Sequence, residues 1–138
     1  MLILFLTLIV PHVANAADTL FKREVNQSEP GEKTLRMSFE ELRRDEKVSL
    51  IKVTYGSGAS VPIVMFLSRC YYDLAHARNA QYYVILMEWN ADDNTTIAVV
   101  GFTDDSNVDV KTYFDESGRA NKKLERVSDS DLLFKPKP

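Results

Sequence analysis

The chain has 138 residues and a net charge of −3, from 17 basic and 20 acidic side chains, so a single domain is expected. The slightly acidic balance argues against a nucleic-acid-binding protein, which usually carries a basic patch, and against a polybasic membrane anchor. The single cysteine, Cys70, cannot form an internal disulfide. Stability must therefore come from burial of the apolar residues, which make up 45% of the chain.

An unbroken apolar run at residues 2–10 is followed by the small-residue pattern Ala14-Asn15-Ala16. Together they are typical of a secretory signal peptide that is cleaved after Ala16, although no Lys or Arg precedes Leu2. The run is too short to span a bilayer as a helix. We therefore predict a signal peptide over residues 1–16 and an exported protein, periplasmic or secreted, with no stable membrane anchor after cleavage.

The mature chain divides into three predicted segments. Residues 17–46 are polar, and within them Ser38 and Glu41 have the spacing of a capping box that begins a short helix. Residues 47–116 carry the apolar patterns of a folded domain. Residues 117–138 are charged and end in Lys-Pro-Lys-Pro, so we predict a polar, mobile tail.

Four elements are predicted in the folded domain. Residues 47–55 are rich in Val, Ile, Leu and Thr and predict a strand, and residues 60 to about 78 predict a helix. Residues 82–89 are apolar at nearly every position, as in a central strand covered on both faces. Residues 95–103 predict the last strand, and the turn residues 92–94 predict an antiparallel hairpin before it.

The helix is predicted to be amphipathic. At about 100° per residue, its apolar side chains fall on one face, while Arg69, Asp73 and His76 fall on the opposite face. The apolar face consists of Ile63, Leu67, Cys70, Tyr71, Leu74 and Ala77. A thiol in the middle of this face is buried and acts as a small apolar group, which explains a lone cysteine without a catalytic role.

These elements predict an α+β fold. A right-handed crossover joins the first strand, the helix and the second strand. The result is a β-α-β-β unit, in which one long amphipathic helix packs on a small mixed sheet. Tyr113 and Phe114 follow the last strand and are expected to dock on the edge or the second face of this sheet.

The loop before the helix contains Gly56, Ser57, Gly58 and Ser60. Free backbone N–H groups at such a helix start can bind an anion. However, the loop lacks both the third glycine of a dinucleotide-binding fingerprint and the Gly-Lys-Ser/Thr of a P-loop. The simpler interpretation is that the glycines let the chain leave the strand sharply and the serines satisfy the first N–H groups.

A second candidate site is a stripe on the outer face of the helix. It consists of Met65, Arg69, Tyr72 and His76, spaced i, i+4, i+7 and i+11. Met, Arg and Tyr are enriched at protein interfaces, so the stripe is a candidate surface for a protein partner or a homo-oligomer. The equally supported alternative is that residues 17–46 fold back and cover the stripe.

Metal binding and nucleophilic catalysis are poorly supported. Oxygen-bearing side chains have EF-hand spacing at Asp105, Asn107, Asp109 and Glu116. Val110 stands where the sharp turn of a calcium loop needs glycine, so we interpret residues 104–116 as a solvated acidic loop. Ser68 and His76 are about 12 Å apart along a helix, too far for a hydrogen bond in a triad with Asp73. No zinc motif is present either, so we predict neither a catalytic residue nor a cofactor.

Residues 48–90 resemble a group of small exported or lipid-anchored bacterial domains of uncharacterised function. The matching residues are Gly58-Ala59-Ser60, Leu67, Arg69-Cys70, Leu74 and Tyr82-Tyr83-Val84. In that group the helix ends in a glycine, whereas here it ends at Asn79-Ala80, where Asn also tolerates the left-handed conformation. The lipid-attachment cysteine is absent, so the resemblance implies a soluble protein, and it carries over no catalytic residue.

The sequence therefore predicts an exported accessory or binding module with a protein partner in the bacterial envelope. The alternative is a small hydrolase or transferase that uses the loop at residues 56–60. A third possibility, an inhibitor with a helix wrapped by a sheet, lacks the Q-x-V-x-G signature of cystatins. An enzyme predicts a pocket of convergent polar groups near Ser57, whereas a binding module predicts an exposed patch around Tyr72.

Overall fold

A computed structural model describes residues 19–27, 34–114 and 123–136. Within these residues the chain forms six strands, three α-helices and one 3-10 helix. In chain order they are β1 (Lys22–Gln27), β2 (Leu35–Arg44), β3 (Val48–Ser57), α1 (Ser60–Ala77), β4 (Tyr82–Asp92), β5 (Thr95–Thr103), α2 (Val110–Tyr113), β6 (Glu125–Arg126), the 3-10 helix (Val127–Ser130) and α3 (Asp131–Phe134). No helix in this part of the chain is long and apolar enough to cross a membrane. The predicted signal peptide lies outside the described residues.

The strands form one curled, half-barrel sheet in the order β1-β2-β3-β5-β4-β6, and all neighbouring strands are antiparallel. The predicted fold class is therefore wrong: a six-stranded antiparallel sheet dominates the molecule, rather than one long helix on a small mixed sheet. The predicted β-α-β-β unit omits β1, β2 and β6. Moreover, β3 and β4 are not neighbours, because β5 lies between the two strands that α1 connects.

The short helix predicted to begin at Ser38 is instead part of β2. Leu35, Met37 and Phe39 alternate along β2 and are buried, which is the period of two expected for a strand. Glu41 occupies the next inward position and is also buried. This polar residue interrupts the apolar alternation, so the sequence of β2 does not look like a strand.

The predicted hairpin between β4 and β5 is confirmed. Asp92 pairs with Thr95 across the turn, and the Asp92 carboxylate accepts a hydrogen bond from the N–H of Asn94 at 2.8 Å. The prediction that β4 is a central strand is confirmed only at its start, where β4 lies between β5 and β6. β4 pairs with β5 along its length, but with β6 only at Tyr82 and Tyr83, so β3 and β5 are the central strands.

The range of α1 agrees with the predicted helix to within one residue at its C-terminal end. There Asn79 has φ 54°, and its N–H donates to the carbonyl of His76 at 3.0 Å. The N–H of Ala80 donates to the carbonyl of Ala75 at 2.9 Å. These two bonds form a Schellman motif, in which Asn79 takes the left-handed position that glycine usually occupies.

The main core lies between α1 and one face of the sheet. Cys70 and Leu74 of α1 are completely buried there, as is Phe39 of β2. The ring of Tyr71 meets Phe39 edge to face at 5.1 Å and stacks on Tyr83 of β4 at 5.7 Å. The predicted burial of the thiol is thus confirmed, and aromatic contacts tie α1 to both β2 and β4.

Phe114 packs on the second face of the sheet, as the sequence predicted. A Cβ at Gly101 of β5 would stand 2.5 Å from the Phe114 ring, so the close approach requires glycine there. Val100 and Phe102, the neighbours of Gly101, belong to the α1-side core, so Gly101 and Phe114 lie on the opposite face. Tyr113 lies under Lys47, whose Nζ is 4.2 Å from the ring centroid.

The C-terminal segment packs on the fold where a mobile tail was predicted. Val127 of the 3-10 helix and Phe134 of α3 are buried members of the core, and β6 pairs with β4. Short elements of this kind owe their order to contacts with distant residues, so a polar local sequence does not reveal them. The described part of the tail, residues 123–136, therefore belongs to the folded unit.

Candidate functional site

One end of the sheet is held by a buried ion network around Glu41, which is 1% exposed. Its carboxylate accepts hydrogen bonds from Arg44 at 2.7 Å, from the Ser49 hydroxyl at 2.6 Å and from the N–H of Phe21 at 3.1 Å. Arg78, just after α1, donates to the Ser49 hydroxyl at 3.0 Å. The buried charge is fully paired, so we interpret this network as structural.

The stripe predicted on the outer face of α1 is not continuously exposed. Tyr72 is only 6% exposed, because its hydroxyl donates to Asp131 at 2.6 Å and its ring lies 5.4 Å from that of Phe134. The hydrogen bond to Asp131 raises the pKa of Tyr72 to about 12. The exposed patch expected around Tyr72 is therefore wrong, and its cover comes from α3 rather than from residues 17–46.

The other members of the stripe, Met65, Arg69 and His76, are exposed. An ion pair joins two residues of α1, with Arg69 Nε 3.5 Å from Asp73 Oδ2. Arg23 of β1 also hydrogen bonds to Asp73. The carboxylate therefore ties the N-terminal strand to the outer side of α1, and Arg69 is already paired within the chain.

The loop between β3 and α1 is shaped by close packing. Gly58 has φ 156°, and a Cβ there would stand 2.8 Å from Leu35. The N-cap of α1 is Ala59, and no side chain caps the helix, so the prediction that serines satisfy its first N–H groups is wrong. The two cavities described below are not lined by Gly56, Ser57, Gly58 or Ser60. The anion-binding role of this loop stays a prediction.

The acidic loop uses its side chains for local turns. Asp105 accepts a hydrogen bond from the N–H of Asn107 at 2.9 Å, and Asp109 caps α2 through the N–H of Lys111 at 3.1 Å. Glu116, the last predicted loop position, lies outside the described residues. In residues 19–27, 34–114 and 123–136, no group of three or more His, Cys, Asp or Glu side chains is placed to hold a metal ion.

Cys70 cannot act as a nucleophile in this position. Burial raises the pKa of its thiol to about 12, so the group is protonated at neutral pH. His76 lies exposed on the other side of α1, as predicted, and does not pair with the thiol.

A cavity of about 540 Å³ lies between the end of α1 and the C-terminal segment. Ser128, His76 and Asp131 line it, and these are the residue types of a hydrolytic triad. However, no hydrogen bond joins His76 to Ser128 or Asp131, and Asp131 is already bound to Tyr72. The geometry therefore gives no support to nucleophilic catalysis at this cavity.

The first turns of α1 expose large apolar side chains, of which the sequence analysis placed only Met65 in a candidate surface. Val61 is 73% exposed, Val64 is 59% exposed and Met65 is 44% exposed. Val61 and Val64 are three residues apart and so lie on the same side of the helix. Their signal in the sequence was two valines outside the predicted buried face, where a solvated helix normally carries polar residues.

An apolar groove runs beside these valines, between α1 and β4. It has a volume of about 410 Å³, and its apolar lining includes Val64, Leu67, Tyr71, Tyr83 and Ile85. Lys123 and Glu125 of the C-terminal segment also line the groove, which is open to solvent. Exposed apolar surface next to an open groove is typical of a site that binds another molecule.

One wall of the groove is formed by β4, which lies between β5 and β6 in the sheet. Its residues from Glu88 to Asp92 are exposed. In the described part of the chain, these residues pair with β5 on one side, whereas β6 reaches only Tyr82 and Tyr83.

Comparison with models of protein families, with curated proteins and with solved structures found no match to this chain. The resemblance noted between residues 48–90 and small exported bacterial domains therefore stays a prediction.

Proposed function

We propose that this chain is an exported accessory module that binds a polypeptide partner in the bacterial envelope. The binding site is the surface formed by Val61, Val64 and Met65 together with the groove between α1 and β4, which we name the α1–β4 surface. Export rests on the leader pattern of residues 1–16, which lie outside the described part of the chain.

The exposed apolar half of α1 is the observation that supports this proposal most strongly. Three large apolar side chains are exposed in the first two turns, and one of them, Val64, lines a groove of about 410 Å³. Leaving such side chains in water forgoes the stabilisation that burial gives, roughly 1.5–3 kcal/mol for each fully buried one. A partner that covers them recovers this free energy on binding, which favours an interface.

The test is site-specific photo-cross-linking of the mature protein in the envelope fraction of its source cells. A photoreactive residue at Val64 is compared with one at Thr112, which is exposed on α2. We expect one dominant partner to cross-link from position 64 and not from position 112. Equal cross-linking from both positions, or none from position 64, would contradict the proposal.

The second step uses the purified partner. The double variant Val61→Ser/Val64→Ser should weaken its affinity at least about tenfold, the loss typical of central interface residues. Leu132→Ser is the matched control, because Leu132 is 98% exposed but lies on α3. If Leu132→Ser weakens binding and the double variant does not, the site lies elsewhere.

A further inference from the structure

The cavity of about 540 Å³ between the end of α1 and the C-terminal segment contains one acidic and one basic side chain. On the α1 side, the Asp131 carboxylate accepts a hydrogen bond from the Tyr72 hydroxyl at 2.6 Å. On the β4 side, the guanidinium of Arg126 lies over the ring of Tyr82, 5.8 Å from its centroid. Each charged group is therefore positioned by a different tyrosine.

These two charged groups do not pair with each other. In the part of the chain that the structure describes, no ion pair joins Arg126 to Asp131, although both side chains line the cavity. A guanidinium stacked on an aromatic ring still has N–H edges that fit a planar carboxylate. A carboxylate that accepts one hydrogen bond has further lone pairs for other donors. A single ligand can therefore contact both groups.

Uncharged polar side chains also line the cavity. Asn79 and Gln81 lie in the connection between α1 and β4, and Ser128 lies in the 3-10 helix. Amide and hydroxyl groups can donate to a carboxylate and accept from an ammonium group, so they suit both ends of a ligand with two charges. The volume of about 540 Å³ lies within the range of small-molecule sites, roughly 300–1,000 Å³.

Backbone hydrogen bonds join the two sides of the cavity. The N–H of Val127 donates to the carbonyl of Gln81 at 2.9 Å, and the N–H of Gln81 donates to the Asp104 carboxylate at 2.9 Å. The Schellman motif at Asn79 fixes the end of α1. Groups that are already held in place lose little entropy when a ligand binds, which favours affinity.

We propose that this cavity binds a small zwitterion, a molecule of the size of an amino acid or a dipeptide with a free ammonium and a free carboxylate group. Arg126 binds the carboxylate and Asp131 binds the ammonium. The C-terminal end of a helix favours positive charge, so the end of α1 adds to the attraction for the ammonium. The site contains no residue of the α1–β4 surface, so this inference goes beyond the proposed function and does not depend on it.

Ligands with a single charge fit this cavity less well. An anion that contacts Arg126 lies in the same cavity as the carboxylate of Asp131, and a cation that contacts Asp131 lies in the same cavity as Arg126. In both cases one contact is favourable and a like charge is close by, which lowers affinity and provides specificity. A zwitterion places each of its charges beside the opposite one.

The test is a binding screen of the purified protein by NMR. The probes are the standard amino acids and, as a second set, dipeptides of alanine followed by each of them. The side-chain amide signals of Asn79 and Gln81 report occupancy of the cavity. We expect at least one probe to shift both signals saturably, and the set that contains it distinguishes an amino acid from a dipeptide. No saturable shift from either set would overturn the proposal.

Blocked ligands and charge-removing variants then test the two contacts. Acetylating the ammonium or amidating the carboxylate should each weaken binding at least about tenfold. Arg126→Gln, at an exposed position, should weaken binding of the zwitterion similarly and leave the affinity of the amidated form unchanged. Lys111→Gln, an equal loss of charge on exposed α2, should alter affinity less than about twofold. Equal affinity of the blocked forms, or equal effects of the two variants, would overturn the assignment.

Discussion

The two halves of α1 differ in how far their apolar side chains are buried. Every buried residue of the helix lies in its second half, from Cys70 to Ala75, whereas the first half exposes Val61 and Val64. The second half packs against β2, where Phe39 and Glu41 are buried. The chain therefore concentrates the buried contacts of the helix at one end and exposes large apolar side chains at the other, where we propose that a partner binds.

The largest expected effect is on the buried end, in Glu41→Ala. This variant removes the buried carboxylate that accepts hydrogen bonds from Arg44 and from the Ser49 hydroxyl. Breaking a buried ion pair from one side typically costs about 3–5 kcal/mol. Urea unfolding measures the loss, with Glu46→Ala in the exposed β2–β3 turn as the control, expected within about 0.5 kcal/mol of the native protein. A loss below about 1 kcal/mol in Glu41→Ala would show that the ion network around Glu41 contributes little to the stability of this end of the sheet.

The next largest effect is a difference in stability between two variants in the stripe predicted on the outer face of α1. Tyr72→Ser removes a buried ring and should cost about 3 kcal/mol of unfolding free energy, whereas Met65→Ser, at a 44% exposed position, should cost less than about 0.5 kcal/mol. Tyr72→Phe keeps the ring but loses the hydrogen bond to Asp131, which is worth about 1 kcal/mol. Similar losses in Tyr72→Ser and Met65→Ser would contradict the assignment of Tyr72 to the buried half of α1 and of Met65 to the exposed half.

A smaller effect is expected at the end of α1. Asn79 has a left-handed conformation, which costs other residues with a Cβ about 1–2 kcal/mol. Asn79→Ala should therefore unfold at a lower temperature than Asn79→Gly, with a difference of about 1 kcal/mol between the two. Thermal unfolding of the pair measures it. Equal stability would show that the Schellman motif does not depend on this residue.

The smallest effect concerns the tip of the β4–β5 hairpin and depends on pH. Hydrogen bonds from Asn94 and Thr95 lower the pKa of Asp92 below its ordinary value of 3.8. The stabilisation is therefore present above that value and is lost as the pH falls through the lowered pKa. The difference in melting temperature between native protein and Asp92→Ala should be largest near neutral pH and shrink in acid. A difference that grows in acid would contradict the assigned role.

Local patterns predicted the elements whose signals are contained in a few residues. The helix ending near Asn79 and the hairpin at Asp92 depend on neighbouring side chains, and both were predicted. β2 was missed because Glu41 occupies an inward position that normally carries an apolar residue. The buried Glu41 carboxylate accepts hydrogen bonds from Arg44 and Ser49, and a local sequence pattern does not reveal such pairing.

The candidate site could be predicted only in part, because its character depends on strand order. Tyr83 and Val84 face opposite sides of the sheet, so the apolar run of β4 looked like a central strand. Its position near the edge follows from the insertion of β5 beside β3, a long-range arrangement. Likewise, Tyr72 seemed exposed because its cover, Phe134, comes from a distant short helix.

The most direct test of the proposed binding surface compares two affinities of the cross-linked partner, both measured by titration calorimetry. One is its affinity for the native protein, and the other is its affinity for the double variant Val61→Ser/Val64→Ser. We expect the double variant to bind the partner at least about tenfold more weakly, while its free energy of unfolding changes by less than about 1 kcal/mol. Unchanged affinity would contradict the proposal that the partner binds the α1–β4 surface. So would a loss of binding accompanied by unfolding, since the two valines would then belong to the stabilising half of the helix.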